Sequence, residues 1–366
     1  MADNRPRVLF IFTEVLATGG IQRFNQTLLE ACLQLPIGIH ILSLKDDTQG
    51  LQSRFPGIRA TGFSGDRFAF VCVVMAALVR ARYDQVFIGH INFLTLVVAI
   101  CRLSPWHRRP LLLIAHGIEV WNGIGRARRL ALAQVSRILC VSNYTRERIL
   151  EQARGLDSDR FMIFPNALAE KWQEPAAPAP GESVSGKFIL SVTRLDRGDR
   201  NKGLDSTIKA FSTLNDQALQ YVIVGRGNDE AYLRSVAVDC KVQDRVRFMN
   251  GVADEELRML YGNCQAFVLP SGKEGFGIVF LEAMYFGAPV IAASEKGALD
   301  VVHDGETGLT VPFGDVGAIH RAIEQITSDL DLRQRLRSRG RALVVEGGPF
   351  TFKAFVGRCA EVFHTR

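Results

Sequence analysis

Short runs of β-branched and aliphatic residues recur along the 366-residue chain, separated by stretches of helical length. One set is Val8–Phe12, Ile39–Leu44, Gln85–Ile88, Leu111–Ala115, Ile138–Val141 and Phe161–Phe164. A second is Phe188–Val192, Tyr221–Val224, Val246–Met249, Ala266–Leu269, Val290–Ala293 and Leu309–Val311. Such runs are the mark of parallel strands buried on both faces. Between the sets, residues 173–186 are rich in Pro, Ala, Ser and Gly and have no periodicity, the composition of a linker. The sequence therefore predicts an α/β chain of two doubly wound parallel-sheet domains, 1–170 and 187–344, joined by 171–186, with a last helical segment over 345–366. In open sheets of this kind ligands bind beyond the carboxyl ends of the strands, so two facing domains place a cleft between them.

At roughly 150 residues per domain the length also makes about two domains. With 47% hydrophobic and 22% charged residues, collagen-like, coiled-coil and largely disordered chains are excluded. The net charge of +6 is uneven: residues 1–170 hold 20 basic against 13 acidic residues, and 171–366 hold 24 against 25. A basic first half suits an anionic membrane or a phosphorylated substrate, and equally an ordinary solvated surface. Nucleic acid requires a sharper basic stripe with stacking aromatics, so no nucleic-acid partner is expected. Seven scattered cysteines without a C-x-x-C pair (Cys32, Cys72, Cys101, Cys140, Cys240, Cys264, Cys359) read as buried reduced thiols of a cytoplasmic protein. The five apolar residues Val8–Phe12 are too few for a signal peptide. The longest apolar runs, Phe68–Val79 and Phe93–Cys101, fall short of the ~20 residues of a membrane span and read as core helices.

Four constellations follow expected strands. After Leu269 comes Pro270-Ser271-Gly272-Lys273-Glu274-Gly275-Phe276-Gly277-Ile278-Val279-Phe280-Leu281-Glu282, a glycine-containing turn into an amphipathic helix. Its backbone N–H groups and positive helix end suit an anion. Glu274 and Glu282, about 2.2 turns apart, fall on one helical face, where carboxylates suit vicinal sugar hydroxyls. A capping Glu274 with a surface Glu282 fits the same spacing. Arg194, with Lys202-Gly203 beyond it, combines a bidentate and a point cation fit for a diphosphate, or two surface cations. Thr18-Gly19-Gly20-Ile21 permits close backbone approach to a phosphate or sugar, or is a plain turn. His116, in Ala115-His116-Gly117-Ile118-Glu119, stands at a strand end as a ligand contact or as a satisfied structural histidine.

Other chemistries lose support. Gly225-Arg226-Gly227-Asn228-Asp229-Glu230 lacks the third glycine of a dinucleotide fingerprint, which argues against a nicotinamide enzyme. The acidic pairs Asp157-x-Asp159 and Asp329-x-Asp331 sit in a loop and at a helix start, and the seven histidines show no close ligand spacing. No metal and no other cofactor is expected.

Gly19-Gly20, His116-Gly117-x-Glu119, Val141-Ser142, Pro165-Asn166, Arg194 with Lys202-Gly203, Gly225-x-Gly227, Glu274-(seven residues)-Glu282, Gly287-x-Pro289-Val290 and Gly305-x-Thr307-Gly308 occur in an informative order. In carrying them the chain resembles the retaining nucleotide-sugar glycosyltransferases of family 4. That family has the GT-B architecture of two facing Rossmann-like domains with an interdomain cleft. The resemblance covers nearly the whole chain and is most specific from Phe267 to Pro312; Ala167 stands where the family often has glycine.

The resemblance implies that Arg194 and Lys202 hold the donor diphosphate and that Glu282 binds the ribose hydroxyls. Glu274 and the backbone of Phe276, Gly277 and Ile278 would hold the transferred sugar, with Val279 and Gly225 also on the donor. Gly19-Gly20 would approach the diphosphate and His116 the sugar. The last helix, with apolar spacing from Pro349 to Val356, would cross back to the first domain. The implied chemistry is metal-free, with the departing diphosphate taking the acceptor proton on the same face. The expected reaction is hexose transfer from a GDP- or UDP-sugar to a glycan or lipid-linked acceptor in cell-surface polysaccharide or glycolipid synthesis. The expected location is the cytoplasm, peripheral on the inner face of the cell membrane, with Trp106-His107-Arg108-Arg109, Arg126, Arg128 and Arg129 of the first domain as the contact with membrane or acceptor. The alternatives are a sugar-nucleotide epimerase, a phosphorylase, or a catalytically silent sugar-nucleotide-binding partner. Arg194, Lys202, Glu274 and Glu282 together argue against silence, because a binding partner has no need of a leaving-group clamp.

Overall fold

A computed structural model describes residues 5–105, 108–121, 123–173 and 184–363. The chain divides into two units, residues up to 169 with those from 352 onward, and residues 170–351. In the first, seven strands form one parallel sheet: β1 Arg7–Phe12, β2 Gly38–Ser43, β3 Arg59–Gly62, β4 Gln85–Ile88, β5 Leu111–Ala115, β6 Arg137–Cys140 and β7 Phe161–Ile163, in the order β3-β2-β1-β4-β5-β6-β7. Its helices are α1 Gly20–Leu33, α2 Thr48–Arg54, α3 Arg67–Arg80, α4 Leu94–Leu103, α5 Ile118–Trp121, α6 Arg126–Leu132 and α7 Asn143–Gln152. β1 sits centrally, with Val8 opposite Ile39 of β2 and Gln85 of β4, and Val8 to Phe12 are fully buried. Strands covered on both faces explain why apolar runs marked them within a residue or so. β3 carried no such mark. Its Arg59-Ala60-Thr61-Gly62 pairs only with β2 at the sheet edge and buries Ala60 alone.

The second unit holds β8 Phe188–Val192, β9 Gln220–Val224, β10 Val246–Met249, β11 Ala266–Leu269, β12 Val290–Ala293 and β13 Leu309–Val311, in the order β10-β9-β8-β11-β12-β13. Its helices are α8 Leu204–Ser212, α9 Glu230–Asp239, α10 Asp254–Asn263, α11 Ile278–Tyr285, α12 Val316–Ser328 and α13 Leu330–Ala342. Both sheets reverse strand order once, between β1 and β4 and between β8 and β11. Those reversals create a crevice at the carboxyl ends of the flanking strands.

The closing helix, α14 Phe352–Phe363, packs on α1 of the first unit. Phe355 lies 6.0 Å from Phe24 and 5.1 Å from Phe164, Phe363 lies 5.5 Å from Phe10, and Gln85 Nε2 donates to the Val362 carbonyl at 3.1 Å.

Three surface expectations are corrected. The run Phe68–Val79 lies in α3 but is no core helix: Phe70, Val74 and Leu78 are buried, whereas Phe68 is 80% exposed and Val71, Val73 and Met75 also face solvent. A helix apolar all round needs cover on every side, and α4 and β2 leave the face with Phe68, Val71, Val73 and Met75 to solvent. Arg109 is buried, donating to the Leu78 carbonyl at 2.7 Å and Ser104 Oγ at 2.8 Å, so it holds helix ends together and presents nothing to a partner. Cys72 and Cys240 are only half-buried, although all seven thiols are free. Trp106, His107 and most of the linker lie outside the described residues. Among the described residues no helix is long and apolar enough to cross a membrane.

Phe363 is 1% exposed against Phe10 and Phe87. Phe363→Ala is expected to cost the first unit about 3–5 kcal/mol. Urea unfolding followed on the first unit checks this, and a loss below about 1 kcal/mol would show that α14 is not part of its core.

Candidate active site

The loops that follow β8 and β11 meet at the second sheet's order reversal. Glycines let them do so. A Cβ on Gly225 would collide with the Thr193 carbonyl, and one on Gly227 with the backbone of Leu195. Thr193 N–H donates to Val224 O at 3.0 Å and Leu195 N–H to Arg226 O at 2.9 Å. The Gly225-x-Gly227 pattern is thus accounted for by close packing behind the loop that carries Arg194. On the other side, Gly203 adopts φ 74°, and a Cβ there would come within 2.6 Å of Pro270 O, while Gly272 N–H donates to Asn201 O at 2.8 Å.

This stitching brings Lys202 to Glu274. Lys202 Nζ and Glu274 Oε2 are 2.9 Å apart, with side chains only 17% and 15% exposed. Arg194 does not join them; its 67% exposed side chain pairs with Asp199 Oδ2 at 3.0 Å. The two cations of the expected diphosphate clamp therefore each have an acid of their own. Arg200, which the sequence did not single out, makes a bidentate pair with Asp229 at 2.8 and 2.7 Å and lies over the Tyr232 ring.

The two carboxylates do not share a helix face, because α11 starts only at Ile278 and Glu274 lies in the turn before it. Gly297 N–H donates to Glu274 O at 3.2 Å, and a Cβ at Gly297 would strike Gly275 O, so this turn is gripped from both sides. Gly277 precedes the helix at φ 91°, where a side chain would run into the Phe280 ring. Neither a side-chain cap nor an acid satisfies the first turn of α11, so the backbone around Gly277, Ile278 and Val279 keeps the positive helix end. Phe276 is buried against Phe350, ring centroids 5.5 Å apart. Glu282 is fully buried on α11 and accepts from the Tyr261 hydroxyl at 3.1 Å, so it is no surface residue. Its neighbours Ile278-Val279-Phe280-Leu281-Ala283-Met284 carried that signal, since an acid inside a wholly apolar helix has no exposed face to occupy. Ser271 Oγ and Asn201 Oδ1, both missed in the sequence, are buried beside these loops with no hydrogen-bond partner among the described residues.

In the first unit the carboxyl ends of β1, β4 and β5 carry a second group. Buried Asp46 shapes the loop after β1, accepting from Val15 N at 2.7 Å, Leu16 N at 3.0 Å and Ser43 Oγ at 2.6 Å. That loop ends at Gly19, and α1 opens at Gly20 with neither a side-chain cap nor an acid in its first turn. His116, half-buried, has its backbone N–H on Glu119 Oε1 at 2.5 Å and its Nε2 3.2 Å from the Gly89 carbonyl, with Phe24 edge-on at 5.0 Å. Because Gly89 O only accepts, Nε2 carries the hydrogen and Nδ1 is left as an acceptor. Burial pushes the His116 pKa down to about 4, against a smaller upward pull from Gly89 O. His90, which the sequence did not flag, stands beside it, its own pKa lowered first by burial, with an upward pull from Glu119 opposed by His116 and Arg128.

The acidic pairs turn out to be caps: Asp157 accepts from Asp159 N at 2.9 Å, and Asp329 from Leu332 N at 2.8 Å. Among the described residues no group of three or more His, Cys, Asp or Glu side chains is arranged to hold a metal.

The chain is similar to known proteins in sequence and in fold. Residues 174–343 match the model of glycosyl transferases group 1, and residues 18–170 that of glycosyltransferase family 4. Over 285 residues, 71% of each chain, the sequence is 31% identical to the GDP-mannose-dependent α-(1-6)-phosphatidylinositol monomannoside mannosyltransferase of Mycobacterium tuberculosis. It is 34% identical over 178 residues, 49% of this chain and 48% of the other, to the lipopolysaccharide core biosynthesis glycosyltransferase LpsE of Rhizobium meliloti. In fold it is similar to Anabaena HepE, crystallised with UDP and glucose, with a TM-score of 0.80, 19% identity and coverage of 98% of this chain and 100% of that one.

An unfolded histidine titrates near 6.5 and folded His116 near 4, so within that window the unfolded chain binds more protons. The first unit is expected to lose stability as pH falls from about 6.5 to 4. His116→Gln should flatten the dependence of its urea midpoint on pH by up to one proton; an unchanged slope would place His116 in solvent.

Proposed function

The chain belongs to the glycosyltransferases of group 1 and family 4, and from that premise we propose that it is a retaining hexosyltransferase that needs no metal. Its substrates are a nucleoside diphosphate sugar and a glycan or lipid-linked acceptor, in cell-surface polysaccharide or glycolipid synthesis. The relatives' printed activities, a GDP-mannose-dependent transfer and lipopolysaccharide core assembly, support that substrate class.

The observation that carries the reading is the half-buried Lys202–Glu274 pair, whose carboxylate lies in the turn that leads into the uncapped start of α11. Breaking the anomeric bond sends its electron pair to the diphosphate oxygen and leaves an oxocarbenium-like sugar. Lys202, Arg194 and the α11 N–H groups provide fixed positive charge where that negative charge develops. The acceptor hydroxyl attacks the face from which the diphosphate leaves, and its proton passes to the diphosphate, so no protein base is required. Glu274 is assigned the sugar hydroxyls together with the backbone of Phe276 and Gly277. Glu282 is assigned the ribose hydroxyls, a contact that entails moving the side chains now covering it. In the first unit the open start of α1 at Gly19-Gly20 suits phosphate, and neutral His116 suits a sugar hydroxyl.

Arg194→Ala and Lys202→Ala are each expected to lower turnover about 100- to 1000-fold, as loss of an oxyanion donor does (about 2.7–4 kcal/mol), with the melting temperature of exposed Arg194→Ala near that of the parent and that of Lys202→Ala lowered by the unpaired Glu274. The assay follows glycosyl transfer from UDP- and GDP-sugars in excess EDTA, and NMR assigns the product's anomeric configuration. Wild-type turnover in both variants would remove the clamp. Inversion, or activity that Mg²⁺ alone restores, would refute the retaining metal-free chemistry.

The same reading places an anionic membrane against α3, α4 and α6, which pack side by side. These helices contain Arg67, Arg80, Arg102, Arg126, Arg128 and Arg129 and no acidic residue, and Phe68, Leu103 and Leu130 are 80%, 84% and 64% exposed. Arginines close to such a surface contribute on the order of 1 kcal/mol each, attenuated by salt. Arg126→Glu/Arg129→Glu is expected to weaken co-sedimentation with anionic liposomes at least ~10-fold at low salt. Phe68→Ser/Met75→Ser should weaken it at any salt. Sedimentation indifferent to lipid charge, salt and both variants would leave a non-membrane acceptor.

A further inference from the structure

The amino ends of the first unit's strands carry a polar site that the proposed transfer does not use. A cleft of about 500 Å³ opens there between the starts of β1, β2 and β3. Tyr83 and His40 form its floor, 3% and 6% exposed, with the Tyr83 hydroxyl 2.6 Å from His40 Nδ1. Arg7 opens β1 and places its guanidinium 5.1 Å from the centroid of the Tyr83 ring, and Arg59 opens β3 opposite His40. Arg5 completes the lining, which includes no acidic side chain. The acid next in sequence to Tyr83, Asp84, accepts the backbone N–H of Arg7 at 2.7 Å. Burial first, then the charges of Arg59 and Arg7, push the His40 pKa down to about 4, so at neutral pH the cleft's positive charge belongs to its arginines.

We propose that this cleft binds a phosphate-bearing anion, with Arg7 and Arg59 as its ligands and the Tyr83–His40 pair as its floor. Guanidinium forks match phosphate oxygens two at a time, and a concave basic surface without acids concentrates anions. β1 runs about 17 Å from this end to the other, so the occupant does not compete for the open start of α1. Apolar Leu33, 49% exposed, and Ile58 flank the arginines and give room for an apolar tail, so the phosphate comes free or on a lipid headgroup.

The test is calorimetric titration of inorganic pyrophosphate, inorganic phosphate and short-chain phosphatidic acid below its micelle concentration. The full chain carries Arg194→Ala/Lys202→Ala, so that the second unit's anion site is silent. Besides any binding at the start of α1, a site is expected to remain in that background that Arg7→Gln/Arg59→Gln weakens at least tenfold, with Arg59→Lys restoring part of the affinity. Tighter binding of phosphatidic acid than of either inorganic anion identifies a headgroup; the reverse identifies a free phosphate. In the parent chain, saturating pyrophosphate should raise the NMR titration midpoint of the His40 ring, because the anion offsets Arg7 and Arg59. That readout stands even if the arginine variants fail to fold. No residual site for any of the three anions, affinity unchanged without the arginines, or an unmoved His40 midpoint would overturn the proposal.

Discussion

Lys202 and Glu274 stand 72 residues apart in sequence and 2.9 Å apart in space, and much of the second unit's site depends on that pair. An ammonium this far out of water costs several kcal/mol unless a carboxylate faces it. Glu274 offsets that cost. The glycines at 203 and 272 allow the pairing by closing the β8 and β11 loops on each other, and Gly297 clasps the turn from behind. What results is positive charge fixed in place before any ligand arrives, with one carboxylate beside it. On the proposed reading an incoming diphosphate faces that positive charge, and the sugar attached to it meets the carboxylate.

The first unit distributes its chemistry along the same strands. A parallel sheet points every carboxyl end to one rim, which is why His116, His90 and the start of α1 gather there. Amino ends gather on the opposite rim, and there the residues that open the strands include Arg7 and Arg59. α3, α4 and α6 add a third surface, which combines exposed apolar side chains with arginines and has no acid within the helices. His116 and His40 are both held neutral at pH 7, by burial first, so the positive charge at either rim does not come from these histidines.

Most of this architecture was legible in the residues because its strands are buried on both faces and so leave apolar runs. Where burial is partial, as in β3 at the sheet edge, the run disappears and so did the expectation. α3 failed in the opposite sense: hydrophobicity records what a helix is made of, not which of its faces is covered. In the candidate site, the strand-end rule singled out Arg194, Lys202, Glu274 and His116, and the structure has them in the loops that follow β8, β11 and β5. Their partners were beyond its reach. Asp199 for Arg194, Tyr261 for Glu282 and Asp46 for the loop after β1 are contacts of the folded chain with no spacing signature. The Gly225-x-Gly227 pattern is also required by the packing of one loop on another, which its spacing does not reveal.

The most direct measurement is an amide NMR titration of the full chain with UDP and with GDP. If the uncapped start of α11 and Lys202 receive the diphosphate, the amides of Ile278 and Val279 and the Lys202 side chain shift together and saturate at one nucleotide per chain. Saturable nucleotide binding that leaves these three groups unmoved would contradict the account.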